Sequence, residues 1–202
     1  MTFPERLAIA SANRHKLREI LEICADWPVE WITVETHPGP WPEVDEPHED
    51  YLANALEKGR AVAAALGVPA LADDSGIEVD ALGGAPGPRS ARYAGPGASD
   101  AENRRRLLSA LKGIPGSGRT ARFRCVAALV WPDGREVHAE GVCEGVLLRA
   151  ERGSGGFGYD PLFVPEGWER TMAELAPAEK HRISHRGRAL RALRELLVHR
   201  GG

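Results

Sequence analysis

Two adjacent carboxylates, Asp73 and Asp74, close the apolar run Pro69–Ala72 and are followed by Ser75-Gly76. Acids at the end of a buried strand are costly unless a cation or hydrogen-bond donors meet them. Strand ends are also where ligand sites gather in α/β sheets. Magnesium takes oxygen ligands, commonly one or two carboxylates completed by substrate phosphates. Asp45 and Glu46, in a Pro-rich stretch, are a second acidic source. Side chains alternate along a strand, so at most one of Asp73 and Asp74 is expected to face a given cleft. Turn or capping chemistry explains the pair about as well, and solvated loop acids are the ordinary explanation for Asp45 and Glu46.

A second segment with chemical content is Ser11-Ala12-Asn13-Arg14-His15-Lys16, between an apolar run and a helical pattern. Amides at a helix start attract anions, and Ser11, Asn13 and Lys16 add donors and charge, which suits a triphosphate. The spacing is not that of a Walker loop, and an ordinary N-cap followed by a solvated lysine is the competing explanation. Gly153-x-Gly155-x-x-Gly158 formally matches a dinucleotide fingerprint. It is rejected because that motif must open a helix, whereas here a turn and short strand follow, from Tyr159 to Pro165. Phe157 and Tyr159 could instead stack on a planar base, or be core aromatics. Lys180 and His181 precede Ser184-His185-Arg186, where Ser184 is a candidate N-cap and His185 and Arg186 are donors at a positive helix end.

The elements that must hold these groups follow from periodicity. Leu7–Ala10 reads as a buried strand. Leu17, Ile20, Leu21 and Cys24 mark one face of a helix. Val29–Val34 is a second strand, and residues 35 to 48 form a loop. A second helix spans about 49 to 66 and stops at Gly67. Pro69–Ala72 is a short strand, and Gly83 to Gly97 is a loop of defined shape. Ser99 and Glu102 form a capping box that opens a third helix. Thr120–Trp131 and Arg135–Leu148 alternate around Pro132-Asp133-Gly134, a hairpin signal. A last helix runs from about Ser184 to His199. Alternating helices and strands followed by a long hairpin predict an α/β fold with a mixed sheet. No linker, repeat or low-complexity segment divides the 202 residues.

Composition narrows the function classes. With 43% hydrophobic and 27% charged residues the chain is of globular type, not disordered or fibrous. A net charge of -3 gives no whole-chain positive field for nucleic acid or an anionic membrane. No apolar run approaches a membrane span and no signal-peptide core follows Met1, so a cytoplasmic protein is expected. Three cysteines without a C-x-x-C pair read as small apolar strand residues rather than a metal site.

The ordered set of motifs resembles the non-canonical purine nucleoside triphosphate pyrophosphatases, also called inosine/xanthosine triphosphate pyrophosphatases. The matching segments are Ser11-x-Asn13-x-x-Lys16, Asn54-Ala55-x-x-Lys58, Ala72-Asp73-Asp74-Ser75-Gly76 with Val79-Asp80-Ala81-Leu82, Gly84–Gly87, Ser90–Gly95, Gly155–Pro161 and Ser184-His185-Arg186. Each is weak alone, but together they cover essentially the whole chain in family order. The resemblance implies one domain, residues 1–202, with a long mixed sheet flanked by helices and two lobes around an active-site cleft. It implies a homodimer that requires Mg2+ and hydrolyses ITP, dITP and XTP to the monophosphate and pyrophosphate. Ser11, Ala12, Asn13, Arg14, His15 and Lys16 would hold the triphosphate. Asp74 would be the general base and a metal contact, joined at the metal by Asp45 or Glu46. Ser75, Phe157, Gly158, Tyr159, Asp160, Lys180, His185 and Arg186 would bind the rest of the substrate, with His185 and Arg186 at the base. Two features depart from the family pattern. Ser11 stands where threonine is commoner, and Asp45-Glu46-Pro47-His48 replaces a frequent Glu-Glu-Thr-Gly, so either acid could serve the metal. The competing functions are a non-catalytic nucleotide sensor and a nucleic-acid module built on Arg104–Arg106, Arg119, Arg122 and Arg124.

Overall fold

The computed structural model describes residues 3–44 and 48–199. The elements are β1 (Arg6–Ile9), α1 (Arg14–Ile23), β2 (Glu30–Ile32), α2 (Tyr51–Leu66), β3 (Ala70–Val79), α3 (Asp100–Ala110), β4 (Thr120–Val130), β5 (Glu136–Leu147), β6 (Phe163–Pro165), α4 (Pro177–Ile183) and α5 (His185–His199). The strands form one mixed sheet in the order β2-β1-β3-β4-β5-β6. β1 is parallel to both β2 and β3, and β5 is antiparallel to β6. The expected α/β class with a mixed sheet is therefore observed.

The chain divides into two compact units. The first comprises the chain up to Asp74, Cys125–Gly141 and the chain from Arg186 onward; the second comprises Ser75–Arg124 and Val142–His185. In the first unit, strand alternation sorts the core. Leu7, Ile9, Leu71, Cys125, Ala127 and Leu129 pack with α1 and α5 through Leu17, Ile20, Leu190, Leu193 and Leu197. The intervening residues Ala8, Ala10, Ala70, Ala72 and Val130 pack with Val62 and Ala63 of α2. Both sheet faces are covered, as a parallel sheet requires. The α2 face is lined by alanines, and Gly59 lets the helix come close: a Cβ there would meet Val130 Cγ2 at 2.7 Å. Asp50 caps α2 by accepting from the Ala53 amide at 2.7 Å, and Gly67 ends it in the left-handed region at φ 65°.

In the second unit Ile77, Val79, Phe123, Leu147, Leu162, Phe163 and Met172 form a separate core. The predicted strand Pro69–Ala72 is longer than its apolar run, since β3 continues through both aspartates to Val79. The Asp-Asp-Ser-Gly turn signal is overruled because donors from the covering helices meet both carboxylates, Arg186 at Asp73 Oδ2 and Asn54 at Asp74 Oδ2, and Ile77 and Val79 resume the alternation. A Cβ on Gly76 would run into the Gly87 carbonyl, so glycine lets that backbone approach the strand. The hairpin, its turn bonded from the Trp131 amide to the Arg135 carbonyl at 2.9 Å, and the Ser99/Glu102 capping box stand as expected. The cysteines are free and buried. Helix α4 adds an element to those expected from periodicity; Pro177 at its first position and Glu179, accepting from the Ala176 amide at 3.1 Å, are its start signals.

Arg119 is buried and donates to the carbonyls of Leu147 (3.0 Å), Leu111 (3.1 Å) and Leu148 (2.8 Å). The guanidinium thus replaces water at three carbonyls from two chain segments. Arg119→Leu should destabilise the protein by about 3 kcal/mol, the cost of leaving buried acceptors unmet. Thermal melting should show a drop of roughly 6–12 °C; an unshifted midpoint would show that the carbonyls find other donors.

Candidate active site

The two aspartates point to opposite faces of β3, as alternation predicts. Asp73 shares the side of Leu71 and meets α1 and α5. Its Oδ2 accepts from Arg186 Nη2 at 2.9 Å and Nε at 3.2 Å, and Lys16 Nζ lies 3.4 Å away. Arg186, 1% exposed, also donates from Nη1 to Glu19 of α1. Burial alone would push the Asp73 carboxyl up. The charges of Lys16, Arg186 and Lys58 outweigh it and hold the group far below the usual carboxylate range. Burial works against the Arg186 charge, and Asp73 and Glu19 reverse that, holding it protonated. Cys125 Sγ lies 3.8 Å from Asp73 Oδ2, and burial pushes this thiol up.

Asp74 shares the side of Ala72 and meets α2. It is 2% exposed. Asn54 Nδ2 donates to its Oδ2 at 2.9 Å, and Lys58 Nζ lies 3.9 Å from Oδ1 while donating to the Asp73 carbonyl at 2.7 Å. Asn54 and Lys58 stand four apart on one helix face, so a single turn of α2 addresses both aspartates. The two helix residues belong to the Asn54-Ala55-x-x-Lys58 motif, in which the sequence alone assigns neither a task. Their signal was two polar side chains on an otherwise apolar face of α2.

Ser11 to Lys16 make the turn from β1 into α1. Asn13 caps the helix, its Oδ1 accepting from the amides of His15 (2.9 Å) and Lys16 (3.2 Å). The capping expected of Asn13 is thus observed, and the Lys16 charge is directed at Asp73 rather than at solvent. The Lys16 side chain is 15% exposed and Arg14 reaches toward Glu35 at 3.6 Å. Asp45 and Glu46 lie outside the described residues. Among the described residues no group of three metal-ligating side chains occurs. Magnesium takes hard oxygen donors. Asp74 offers such a hard oxygen donor.

In the second unit Phe157 to Asp160 are pinned from several sides. Lys180 Nζ donates to Asp160 Oδ2 at 2.5 Å, and the same oxygen accepts from the Phe157 amide at 2.9 Å. A Cβ on Gly156 would collide with this oxygen, and its φ of 68° also favours glycine. Lys180 Nζ stands 5.1 Å from the centroid of the Phe157 ring, a cation–π distance. Tyr159, 4% exposed, donates its hydroxyl to the Ser90 carbonyl at 2.8 Å. Its ring belongs to the core, which leaves the half-buried Phe157 as the better stacking surface. The His185 ring stacks on Phe123, centroids 4.7 Å apart at 12°. Ser75 is half-buried in β3. Ser184 is the C-cap residue of α4 and immediately precedes α5.

Three of the arginines that a nucleic-acid module would need are paired with carboxylates within the second unit. Arg122 pairs with Asp80 at 2.9 Å and Glu144 at 3.1 Å, Arg124 with Glu78 at 3.6 Å and Arg104 with Glu151 at 2.9 Å.

A mixed sheet with a carboxylate on each face of one central strand, both met by lysines from covering helices, defines an α/β protein with a buried charged centre. The Ham1 family model matches residues 7–196, and the chain belongs to that family. A dITP/XTP pyrophosphatase of Desulforamulus reducens is 47% identical over 192 residues, 95% of either chain. Another, of Syntrophobacter fumaroxidans, is 52% identical over 186 residues, 91% of this chain and 78% of that one. The solved structure of a HAM1 protein from Coxiella burnetii has a TM-score of 0.85 at 41% identity, covering 98% of this chain and 100% of that one. The Staphylococcus aureus Ham1 protein gives 0.83 at 37%, covering 96% and 99%. The family read from the motifs and the family found by comparison agree.

Proposed function

We propose that this protein is a hydrolase that converts dITP, XTP and ITP to the nucleoside monophosphate and pyrophosphate, clearing them from the nucleotide pool. The names of its full-length relatives support this reading. The observation that carries it is Asp74, a buried carboxylate oriented by Asn54 on a strand whose opposite face gathers Lys16 and Arg186. Water attacks the α-phosphorus and the α–β anhydride bond breaks, with pyrophosphate leaving. Asp74 takes the proton of the attacking water. Ser11 to Lys16 orient the triphosphate, and Lys16 offsets its charge. A magnesium ion held by Asp74 with Asp45 or Glu46 would supply further charge neutralisation on the phosphates.

Base choice has a chemical basis. Hypoxanthine and xanthine carry an acceptor oxygen at C6 where adenine carries a donor amine, and a buried donor facing that amine is heavily penalised. Phe157 is assigned to stacking, and Gly158, Tyr159, Asp160, Lys180, Ser75, His185 and Arg186 to positioning the nucleoside. We further assign the chain to one domain acting as a cytoplasmic homodimer.

Incubation with ITP and magnesium should release IMP and pyrophosphate in equal amounts, resolved by ion-exchange chromatography. Release of IDP and phosphate would overturn the reading. Chelation by EDTA should stop turnover and added magnesium restore it; activity surviving exhaustive chelation would remove the metal from the scheme.

A further inference from the structure

Asn54 is 0% exposed, and the hydrogen bonds around it dictate its amide orientation. Its Oδ1 accepts from the His48 amide at 3.0 Å. Its Nδ2 donates to the His48 carbonyl at 3.0 Å and to Asp74 Oδ2 at 2.9 Å. The flipped amide would set an acceptor against two acceptors, so only one orientation is viable. Both N–H groups are thereby spent, one on the main chain two residues after Glu46 and one on Asp74.

We propose that Asn54 is a positioning residue for Asp74, fixing the carboxylate plane that directs proton abstraction. The inference rests on Asp74 being the base. The terminal torsion of an aspartate is broad, so the carboxylate plane must be set from outside. Anchoring Oδ2 sets where Oδ1 lies, and misplacement of a reacting group by about 1 Å can cost about 100-fold. The anchor is itself rigid: α2 is pressed against the sheet at Gly59, and His48 holds the amide through its main chain. No residue of another type fits this pattern equally. Aspartate keeps the acceptor for the His48 amide but loses both donors, and alanine loses all three bonds.

The test is steady-state hydrolysis of ITP with magnesium by Asn54→Ala, Asp74→Asn, the double variant and His48→Ala. Calorimetry with a non-hydrolysable ITP analogue reports the fraction of competent sites. Asn54→Ala should lose about 10- to 100-fold in kcat, the loss of a hydrogen bond to a charged group, with KM within about twofold. It should still bind one analogue per chain. The double variant should be no slower than Asp74→Asn alone, because Asn54 acts through Asp74. His48→Ala keeps the main-chain bonds and should turn over like the wild type. Should Asn54→Ala not fold, the near-isosteric Asn54→Leu removes the same donor without adding charge and carries the same test. Wild-type kcat in Asn54→Ala beside an inactive Asp74→Asn overturns this inference alone. Wild-type kcat in Asp74→Asn overturns the base assignment and the inference with it. Binding stoichiometry falling in step with kcat, an additive double variant, or an equal loss in His48→Ala each overturns the positioning role.

Discussion

Asp74→Asn is expected to retain the fold and lose about 10²- to 10⁴-fold in turnover, the range for a positioned general base. The substitution is near-isosteric. Its amide oxygen can still accept from Asn54 Nδ2, so the link to α2 survives. The lost element is the ionised oxygen that takes the water's proton. Asp73→Asn, one residue earlier, should behave in the opposite way. It would weaken the partner of Arg186 and Lys16 and so act on stability before chemistry. Measuring kcat and the melting midpoint for both variants separates the faces of β3. A fast Asp74→Asn enzyme would remove Asp74 from the proton-transfer role.

That contrast between neighbours was legible in the sequence, because strand alternation is a property of the backbone and needs no tertiary information. The α/β class and the alternating core positions Leu7, Ile9 and Leu71 against Ala8, Ala10 and Ala70 were legible for the same reason. The extension of β3 to Val79 was not. Two aspartates and a Ser-Gly pair read as a turn until the donors that stabilise them are known, and those come from residues as distant as Asn54 and Arg186. The task of Glu19 was hidden likewise. A glutamate in α1 is ordinarily a solvated helix residue, and only α5, more than 160 positions away, turns it into half of a buried pair. Phe157 and Tyr159 looked equivalent as aromatics; burial of the Tyr159 hydroxyl against Ser90 distinguishes them.

Arg186→Ala is expected to be the most destabilising single change in the first unit. The guanidinium is 1% exposed and meets Asp73 through two nitrogens and Glu19 through a third. Truncation takes a hydrogen-bonding cation away from two buried carboxylates, a loss of about 3–5 kcal/mol. In a chain of this size that corresponds to a fall of roughly 10 °C in the melting midpoint. The pH dependence has a definite sign. In the wild type the Asp73 carboxyl is held below its ordinary value, so its contribution is fully present above the unfolded carboxylate pKa of about 4. That contribution is lost as the pH falls below it. In the variant the Asp73 carboxyl, its burial opposed by fewer charges, is relieved by protonation at a higher pH than in the wild type. The gap between wild type and variant should therefore be widest near neutrality and narrow on acidification. Arg186→Lys, which keeps a cation but not the fork, should fall between the two and is the variant in which to read ITP-over-ATP preference. A preference that drops in the lysine variant supports a base contact by Arg186; equal losses on both substrates place its effect on groups the two share. An Arg186→Ala protein that melts with the wild type at neutral pH would show that Lys16 and Lys58 suffice for Asp73.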